Sequence, residues 1–114
     1  MDRSYESMVI IRPDLSDQEK EEIFSKIIKK IEDLKGKVLS SKIWAKERNF
    51  HYFLRERGAG RKKYYKGLYW LINFVIDKDK LPELKETIRL EERILRRLIV
   101  SREKKTVSTI TVNA

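Results

Sequence analysis

The side chains best suited to chemistry in this chain are cations that stand beside aromatic rings. Residues 55–66 hold six basic residues and one acid, a net charge of +5 out of +9 for all 114 residues. An aromatic stretch, residues 64–74, overlaps the end of this segment. A concentrated positive segment next to rings that can stack indicates a polyanion partner, with nucleic acid as the first expectation. We predict phosphate contacts from Arg55, Arg57, Arg61, Lys62 and Lys63, with Arg3, Arg48, Arg96 and Arg97 as secondary candidates.

Residue types used in catalysis occur without the spacing that catalysis needs. No serine lies on a tight glycine turn next to a base. The adjacent acids Glu21-Glu22 and Glu91-Glu92 diverge by about a hundred degrees on a helix, so we interpret them as solvated faces. Residues 58–60, Gly-Ala-Gly, fit neither phosphate-binding fingerprint and suit a hairpin tip. With no cysteine and a single histidine, the sequence predicts no enzyme, metal site, cofactor or small-molecule substrate.

Length and composition predict one domain. An apolar content of 40% in 114 residues is enough for a single core. No run of eighteen apolar residues occurs, and the N-terminal MDRSYESMV lacks the hydrophobic region of a signal peptide. We therefore expect no membrane insertion and a cytosolic location.

Periodicity predicts strand, helix and strand in the first half of the chain. Residues 5–12 are short and β-rich and stop before a proline. Ser16 and Glu19 have the capping-box spacing, so a helix begins there and carries apolar residues at intervals of three to four. Gly36 is predicted to supply the left-handed residue that ends this helix. Residues 37–55 alternate as a long second strand that can bend near Ala45 to Arg48.

The third strand, residues 64–76, is predicted to form a hairpin with the second around Gly58, Gly60 and the basic cluster. It is apolar on both faces, which is typical of a central strand or of one whose second face meets a partner. Leu68, Trp70, Ile72 and Phe74 point one way, and Tyr69, Leu71 and Val75 the other.

The last apolar segment, residues 90–100, has two interpretations. A short helix opened by Asp77, Asp79 and Pro82 precedes it. The apolar residues at 94/98 and 95/99 allow that helix to continue, whereas residues 95–100 also suit a strand. The local pattern leaves both open, although a long helix leaves the sheet one strand short. The domain is predicted to span residues 1–100, with 101–114 as a flexible or partner-ordered tail.

The element order β-α-β-β-α-β predicts the ferredoxin-like α+β fold. In that fold a four-stranded antiparallel sheet carries two helices on one face and leaves the other face open. Right-handed crossovers place the first and third strands in the centre, which accounts for the two apolar faces of the third strand.

A second functional hypothesis comes from residues 66–71, Lys-Gly-Leu-Tyr-Trp-Leu. They partly resemble the octapeptide of RNA-recognition motifs, with Leu68 in place of the first stacking ring and Asn73 in place of the last. In this alternative the protein is a single-stranded RNA-binding module and Trp70 stacks on a base. The simpler interpretation is that Trp70, Ile72 and Phe74 belong to the core.

Several short segments together resemble the bacterial small-subunit ribosomal protein S-six family over nearly the whole chain. No single motif is diagnostic, but their order and spacing are specific. The segments are Tyr5-Glu6, Arg12-Pro13-Asp14-Leu15, residues 44–52, Gly67-Leu68-Tyr69 and Ile94-Leu95-Arg96-Arg97.

The resemblance implies that the last segment is a strand and that the protein is a non-catalytic component of the 30S subunit in the cytoplasm. Members of this family bind the central domain of small-subunit ribosomal RNA together with small-subunit protein eighteen. Such a partner would cover an exposed apolar surface, for which we predict Trp44, Tyr52, Tyr69 and Leu71. The sequence departs from the family at Ala45, where glycine is usual, and at Phe50-His51, where Leu-Ala is usual. The hairpin tip is also more basic than in the family, so its RNA role rests on charge.

Overall fold

The described part of the chain folds into four strands and two helices in the predicted order. The computed structural model describes residues 2–55 and 62–102. The strands are β1 (Asp2–Ile11), β2 (Lys37–Arg55), β3 (Lys63–Asp77) and β4 (Ile94–Ser101), and the helices are α1 (Asp17–Asp33) and α2 (Leu81–Arg89), the latter preceded by a 3-10 turn, Lys78–Lys80. The antiparallel sheet has the order β2-β3-β1-β4. The ferredoxin-like prediction is confirmed, with β1 and β3 in the centre.

The hydrophobic core lies between one face of the sheet and both helices. Alternate residues of the central strands point toward the helices and are almost fully buried, each such side chain contributing roughly 1.5–3 kcal/mol relative to an exposed position. From the strands these are Tyr5, Val9, Ile11, Leu68, Trp70, Ile72, Phe74 and Ile76, and from the helices Ile23, Ile27, Ile31, Leu84 and Ile88. Neither described helix is long and apolar enough to cross a membrane.

Trp70 belongs to this core, so the base-stacking role of the second hypothesis is wrong for it. The side chain is 1% exposed. Its indole Nε1 donates a hydrogen bond to Ser41 Oγ at 2.7 Å, and its ring centroid lies 4.7 Å from that of Phe24. Leu68, at the octapeptide position of the first stacking ring, is equally buried. The simpler core interpretation is confirmed, because both positions face the helices.

The two ends of α1 differ in how well the sequence predicted them. The capping box is present: Glu19 N donates to Ser16 Oγ and Ser16 N donates to Glu19 Oε1, both at 3.2 Å. The left-handed residue after the helix is Lys35, with φ of 67°, and the prediction for Gly36 is wrong. Gly36 is needed for a different reason, since a Cβ there would lie 2.7 Å from the carbonyl oxygen of Val75 on β3.

The last apolar segment, residues 94–101, is the edge strand β4, as the family resemblance implies.

Glu91 stabilises the turn between α2 and β4. The prediction that this residue is a solvated acid is wrong, because its side chain is buried. Its carboxylate accepts from Arg93 Nε at 2.6 Å and from Lys26 Nζ of α1 at 3.1 Å. The hydrogen bond from Arg93, aided by that from Lys26, lowers the pKa of Glu91 to about 2 despite its burial. Residues 103–114 lie outside the described part, so the tail stays a prediction.

Protonation of Glu91 should destabilise the fold. Its pKa of about 2 lies below the ordinary value of 4.5, so the contribution of the carboxylate is complete above pH 4.5 and is lost as the pH falls toward 2. We expect Glu91→Gln to lower the free energy of unfolding by roughly 1–3 kcal/mol at neutral pH and by much less at about pH 2.5. Urea denaturation across this range measures the difference, with the exposed Glu92→Gln as control. If Glu91→Gln lowered the free energy of unfolding by the same amount at every pH, the stabilising role of the Glu91 charge would be contradicted.

Two serines in or next to the core should respond to alanine in opposite directions. Ser7 is buried on the helix-facing side of β1, and among the described residues its hydroxyl has no hydrogen-bond partner. Ser7→Ala should therefore raise the free energy of unfolding by about 0.5–1 kcal/mol. Ser41→Ala, which removes the acceptor of the Trp70 indole, should lower it by about 1 kcal/mol. Denaturation midpoints of both variants test this, and destabilisation by Ser7→Ala would count against it.

Candidate nucleic-acid and protein interface

The sheet face opposite the helices carries a band of apolar and aromatic side chains across three strands. The register pairs Ile10 of β1 with Tyr69 of β3 and Arg96 of β4. Two residues earlier on β1, Met8 pairs with Leu71 and Leu98. Paired residues share a face, and all of these lie one position away from the buried row. We call this surface, made of Met8, Ile10, Tyr69, Leu71, Arg96 and Leu98, the open face.

Three aromatic rings and an arginine form a groove at one end of the open face. Trp44 and Phe50 of β2 pack against Tyr69, with ring centroids 5.5 Å and 6.2 Å from it. The Arg48 guanidinium lies 4.7 Å from the Trp44 ring and 5.9 Å from the Tyr69 ring, so it caps both. The groove has a volume of about 540 Å³ and is also lined by Ile10, Asn49, His51, Tyr52, Leu54 and Arg96.

Irregular pairing between β2 and β3 creates this groove. Between the Ile43–Trp70 pair and the Leu54–Tyr64 pair, β2 advances eleven residues while β3 advances six, with register shifts that include the predicted bend near Ala45 to Arg48. Extra residues on one strand increase its twist and curl the hairpin. Among the bonds that hold the curled hairpin, Arg96 Nη1 of β4 donates to the Arg55 carbonyl oxygen at 3.4 Å.

Gly67 leaves the space in which the Phe50 ring lies. A Cβ at Gly67 would be 2.8 Å from Phe50 Cζ and 3.0 Å from Ile10 Cγ2. Any larger residue would push the ring away from the sheet, because real Cβ atoms do not approach so closely. The glycine on β3 therefore determines the floor of the groove.

The end of the β2–β3 hairpin carries two cations and two rings on one face. Arg55 pairs with Lys63, and alternation places Phe53 and Tyr65 on the same side. The ring centroids of Phe53 and Tyr65 are 6.1 Å apart at an interplanar angle of 57°. Arg55 Cζ lies 5.3 Å and Lys63 Nζ 4.7 Å from the Phe53 ring centroid. We call these four residues the distal platform.

Lys62 lies on the other side of the hairpin. Its Nζ is 5.3 Å from the Tyr64 ring and 3.7 Å from Asp14 Oδ2. The Tyr64 hydroxyl donates to the same Asp14 oxygen at 3.2 Å. Burial acts to raise the pKa of Asp14. The hydrogen bonds and positive charge of Arg12, together with the hydrogen bond from the Tyr64 hydroxyl, outweigh the effect of burial and lower this pKa. The carboxylate stays ionised and partly compensates the charge of Lys62.

The structure brings some of the predicted phosphate-binding residues together and separates others. Arg55 and Lys63 are adjacent and Lys62 is close by, whereas Arg57 and Arg61 lie outside the described residues. The secondary candidates divide into two groups. Arg48 and Arg96 line the groove, but Arg97 pairs with Val9 and faces the helix side, and Arg3 pairs with Ile76 at the far end of β1.

The four residues predicted to meet a protein partner all lie on one surface. Trp44, Tyr52 and Tyr69 line the groove, and Leu71 adjoins it on the open face. Their functional role stays a prediction. Sequence reasoning missed Phe53 and Tyr65 as functional candidates, although Phe-x-Arg before the turn and Lys-x-Tyr after it were visible as an alternating pattern. Within residues 2–55 and 62–102, no group of three His, Asp or Glu residues could hold a metal ion.

Comparison with known proteins agrees with the fold and the sequence resemblance. The family described as Ribosomal protein S6 matches residues 4–101. The chain is 32% identical over 102 residues to the small ribosomal subunit protein bS6 of Dictyoglomus turgidum, covering 90% of this chain and 97% of that one. It is 31% identical over 108 residues to bS6 of Geobacter metallireducens, covering 95% and 85%. The crystal structure of 30S ribosomal protein S6 from Thermotoga maritima matches all of both chains with a TM-score of 0.79 at 29% identity. The predicted resemblance is confirmed, and the chain belongs to the ribosomal protein S6 family.

Proposed function

We propose that the protein is a structural constituent of the small ribosomal subunit. In this role it binds the central domain of small-subunit ribosomal RNA together with small-subunit protein eighteen, during assembly and translation. Membership of a family of ribosomal proteins, rather than of enzymes, supports a role in assembly without a catalytic step. The relatives are named as proteins of the small ribosomal subunit, which supports a ribosomal location in the cytoplasm.

The observation that carries the RNA contact is the clustering of cations at the end of the hairpin. Arg55 and Lys63 are paired across the strands, and Lys62, the residue before Lys63, lies on the opposite side of the hairpin. Of the neighbouring acids, Asp14 faces Lys62, and Glu47 pairs with Lys66 at 2.9 Å. By sequence, residues 55–66 hold six basic residues, among them Arg57 and Arg61, against the single acid Glu56, so the segment keeps a positive excess. Such a cluster suits the phosphate backbone, which dominates affinity for nucleic acids.

The secondary arginines support this interface to different degrees. The Arg48 guanidinium lies over the Trp44 and Tyr69 rings, and a guanidinium in such a position can still donate hydrogen bonds to phosphate. Arg96 spans the space between β4 and the hairpin, so it lies beside the same surface. Arg3 and Arg97 stay as secondary candidates, although the register places Arg3 at the far end of β1 and Arg97 on the helix side of the sheet.

The groove and the adjoining open face suit a protein partner. Trp44 and Tyr52 are exposed, Tyr69 and Leu71 are half-buried, and the volume of about 540 Å³ can hold several side chains. Aromatic residues and arginines are the side chains that most often dominate binding energy at interfaces. We therefore assign this surface, including Trp44, Tyr52, Tyr69 and Leu71, to small-subunit protein eighteen.

Removal of the hairpin cations should reduce the salt dependence of RNA binding. Each phosphate contact contributes about 0.7–0.9 to the slope of log affinity against log salt. The triple variant Arg55→Ala, Lys62→Ala, Lys63→Ala should therefore lower that slope by about two units on a transcript of the rRNA central domain with protein eighteen present. Filter binding between 50 and 200 mM salt measures it.

A charge-matched control separates local contacts from total charge. Lys29, Lys37 and Lys78 are exposed and lie away from the hairpin end. Their replacement by alanine removes the same three charges and should leave the slope close to that of the unaltered protein. Equal slopes for the two triple variants would reject the hairpin as the site of phosphate contact.

Tyr52→Ala should weaken the complex with protein eighteen. The side chain is 84% exposed and lines the groove, so its loss should cost binding rather than folding. Truncation of an interface tyrosine that acts as a hot spot costs about 2 kcal/mol or more, roughly a thirtyfold loss of affinity. Titration calorimetry with purified protein eighteen measures the effect. The control is Leu90→Ala, which alters an exposed residue after α2. Equal affinities of the two variants would contradict the assignment of this face to protein eighteen.

A further inference from the structure

The distal platform displays aromatic surface at the same place as the positive charge. Tyr65 is 65% exposed and Phe53 40%, whereas Trp70 and Phe74, farther along β3, are in the core. Single exposed apolar side chains are ordinary. Two rings in contact, with Arg55 and Lys63 directly beside them, form a defined surface of a different kind.

The cations and the rings have separate positions on this platform. Arg55 and Lys63 both lie over the Phe53 ring, at 5.3 Å and 4.7 Å from its centroid. Tyr65 is the more exposed ring, and its plane is inclined by 57° to that of Phe53. A flat group can therefore stack on Tyr65 while the two cations, which lie over the neighbouring Phe53 ring, stay within reach of the anions attached to that group. The contacts to Phe53 orient the cations before any ligand arrives.

The combination of an exposed ring and two cations indicates which class of ligand the distal platform can bind. A flat aromatic group attached to a backbone of anions satisfies both the exposed ring and the two cations. RNA offers such a group only where a base is unpaired, because the faces of paired bases are covered by their neighbours in the helix. An acidic peptide could meet the cations, but its carboxylates would leave the Tyr65 face uncovered.

We propose that the distal platform is a stacking site for an unpaired RNA base, with Tyr65 as the stacking surface and with Arg55 and Lys63 on the adjoining phosphates. This inference rests on the proposed rRNA binding and adds to it the class of RNA feature that the hairpin recognises. It also places the stacking ring outside the octapeptide positions, since Leu68 and Trp70 are buried.

A pair of synthetic RNAs tests the proposal with the full-length chain. One is a twelve-base-pair RNA duplex with a single bulged 2-aminopurine nucleotide, and the other is the same duplex without the bulge. The protein should bind the bulged duplex about tenfold more tightly, since stacking on one ring contributes on this scale. The 2-aminopurine fluorescence should be quenched on binding, because the base stacks on Tyr65.

Three variants assign the effect to the ring. Tyr65→Leu keeps apolar bulk without an aromatic face, so it should abolish both the preference and the quenching while leaving affinity for the paired duplex and its salt slope unchanged. Tyr65→Phe should retain both. Leu39→Ala, which alters an exposed apolar side chain of β2 that has no assigned role, should change neither. Circular dichroism confirms that each variant is folded.

The outcomes separate this inference from the proposed function. If the bulged and paired duplexes bind equally, or if Tyr65→Leu keeps the preference, the stacking site is refuted while phosphate binding stands. If the unaltered protein binds neither duplex and also fails to bind the rRNA central domain at low salt with protein eighteen present, the proposed function fails and the inference fails with it.

Discussion

The two-sided character of β3 is the constraint on which the rest of the molecule depends. Its even-numbered positions from Leu68 to Ile76 fill the core beneath the helices, so Tyr69 and Leu71 necessarily face the other way. A shift of the strand by one residue would exchange these rows and place polar Asn73 in the core. The burial that stabilises the fold thereby also determines which side chains form the open face. The core and the open face are two consequences of one alternating pattern.

The shape of the groove beside the open face comes from departures from regular strand pairing rather than from the regular sheet. The extra residues of β2 curl the hairpin, and Gly67 admits the Phe50 ring that becomes the floor of the groove. The Arg96 bond to the Arg55 carbonyl then links the hairpin to the opposite edge strand. Surface features of this kind need few residues, but each must be at the right position.

The sequence predicted the features that depend on local pattern. The capping box at Ser16, the inward row of β1 and β3 and the element order all follow from periodicity, and they are observed. Prediction from the sequence failed where tertiary contacts determine the surroundings of a residue. Glu91 looked like a solvated acid because its partners Lys26 and Arg93 are identified only once α1 packs beside the α2–β4 turn. Gly36 was predicted to be a left-handed residue because the sequence alone does not show its close approach to Val75. Phe53 and Tyr65 were missed because their contact with Arg55 and Lys63 depends on the register of the hairpin.

The proposed binding role places a particular demand on the hairpin, which is that its side chains should lose little conformational freedom when a partner arrives. Ordering a long charged side chain at an interface costs about 0.5–1.5 kcal/mol, and this cost reduces affinity directly. In the hairpin, Arg48 already lies against two rings, and Arg55 and Lys63 lie against Phe53. Much of the ordering is thus completed by folding. The aromatic residues between the cations therefore have a role even where they touch no partner, because they hold the charges in a fixed array that a flexible basic loop would lack.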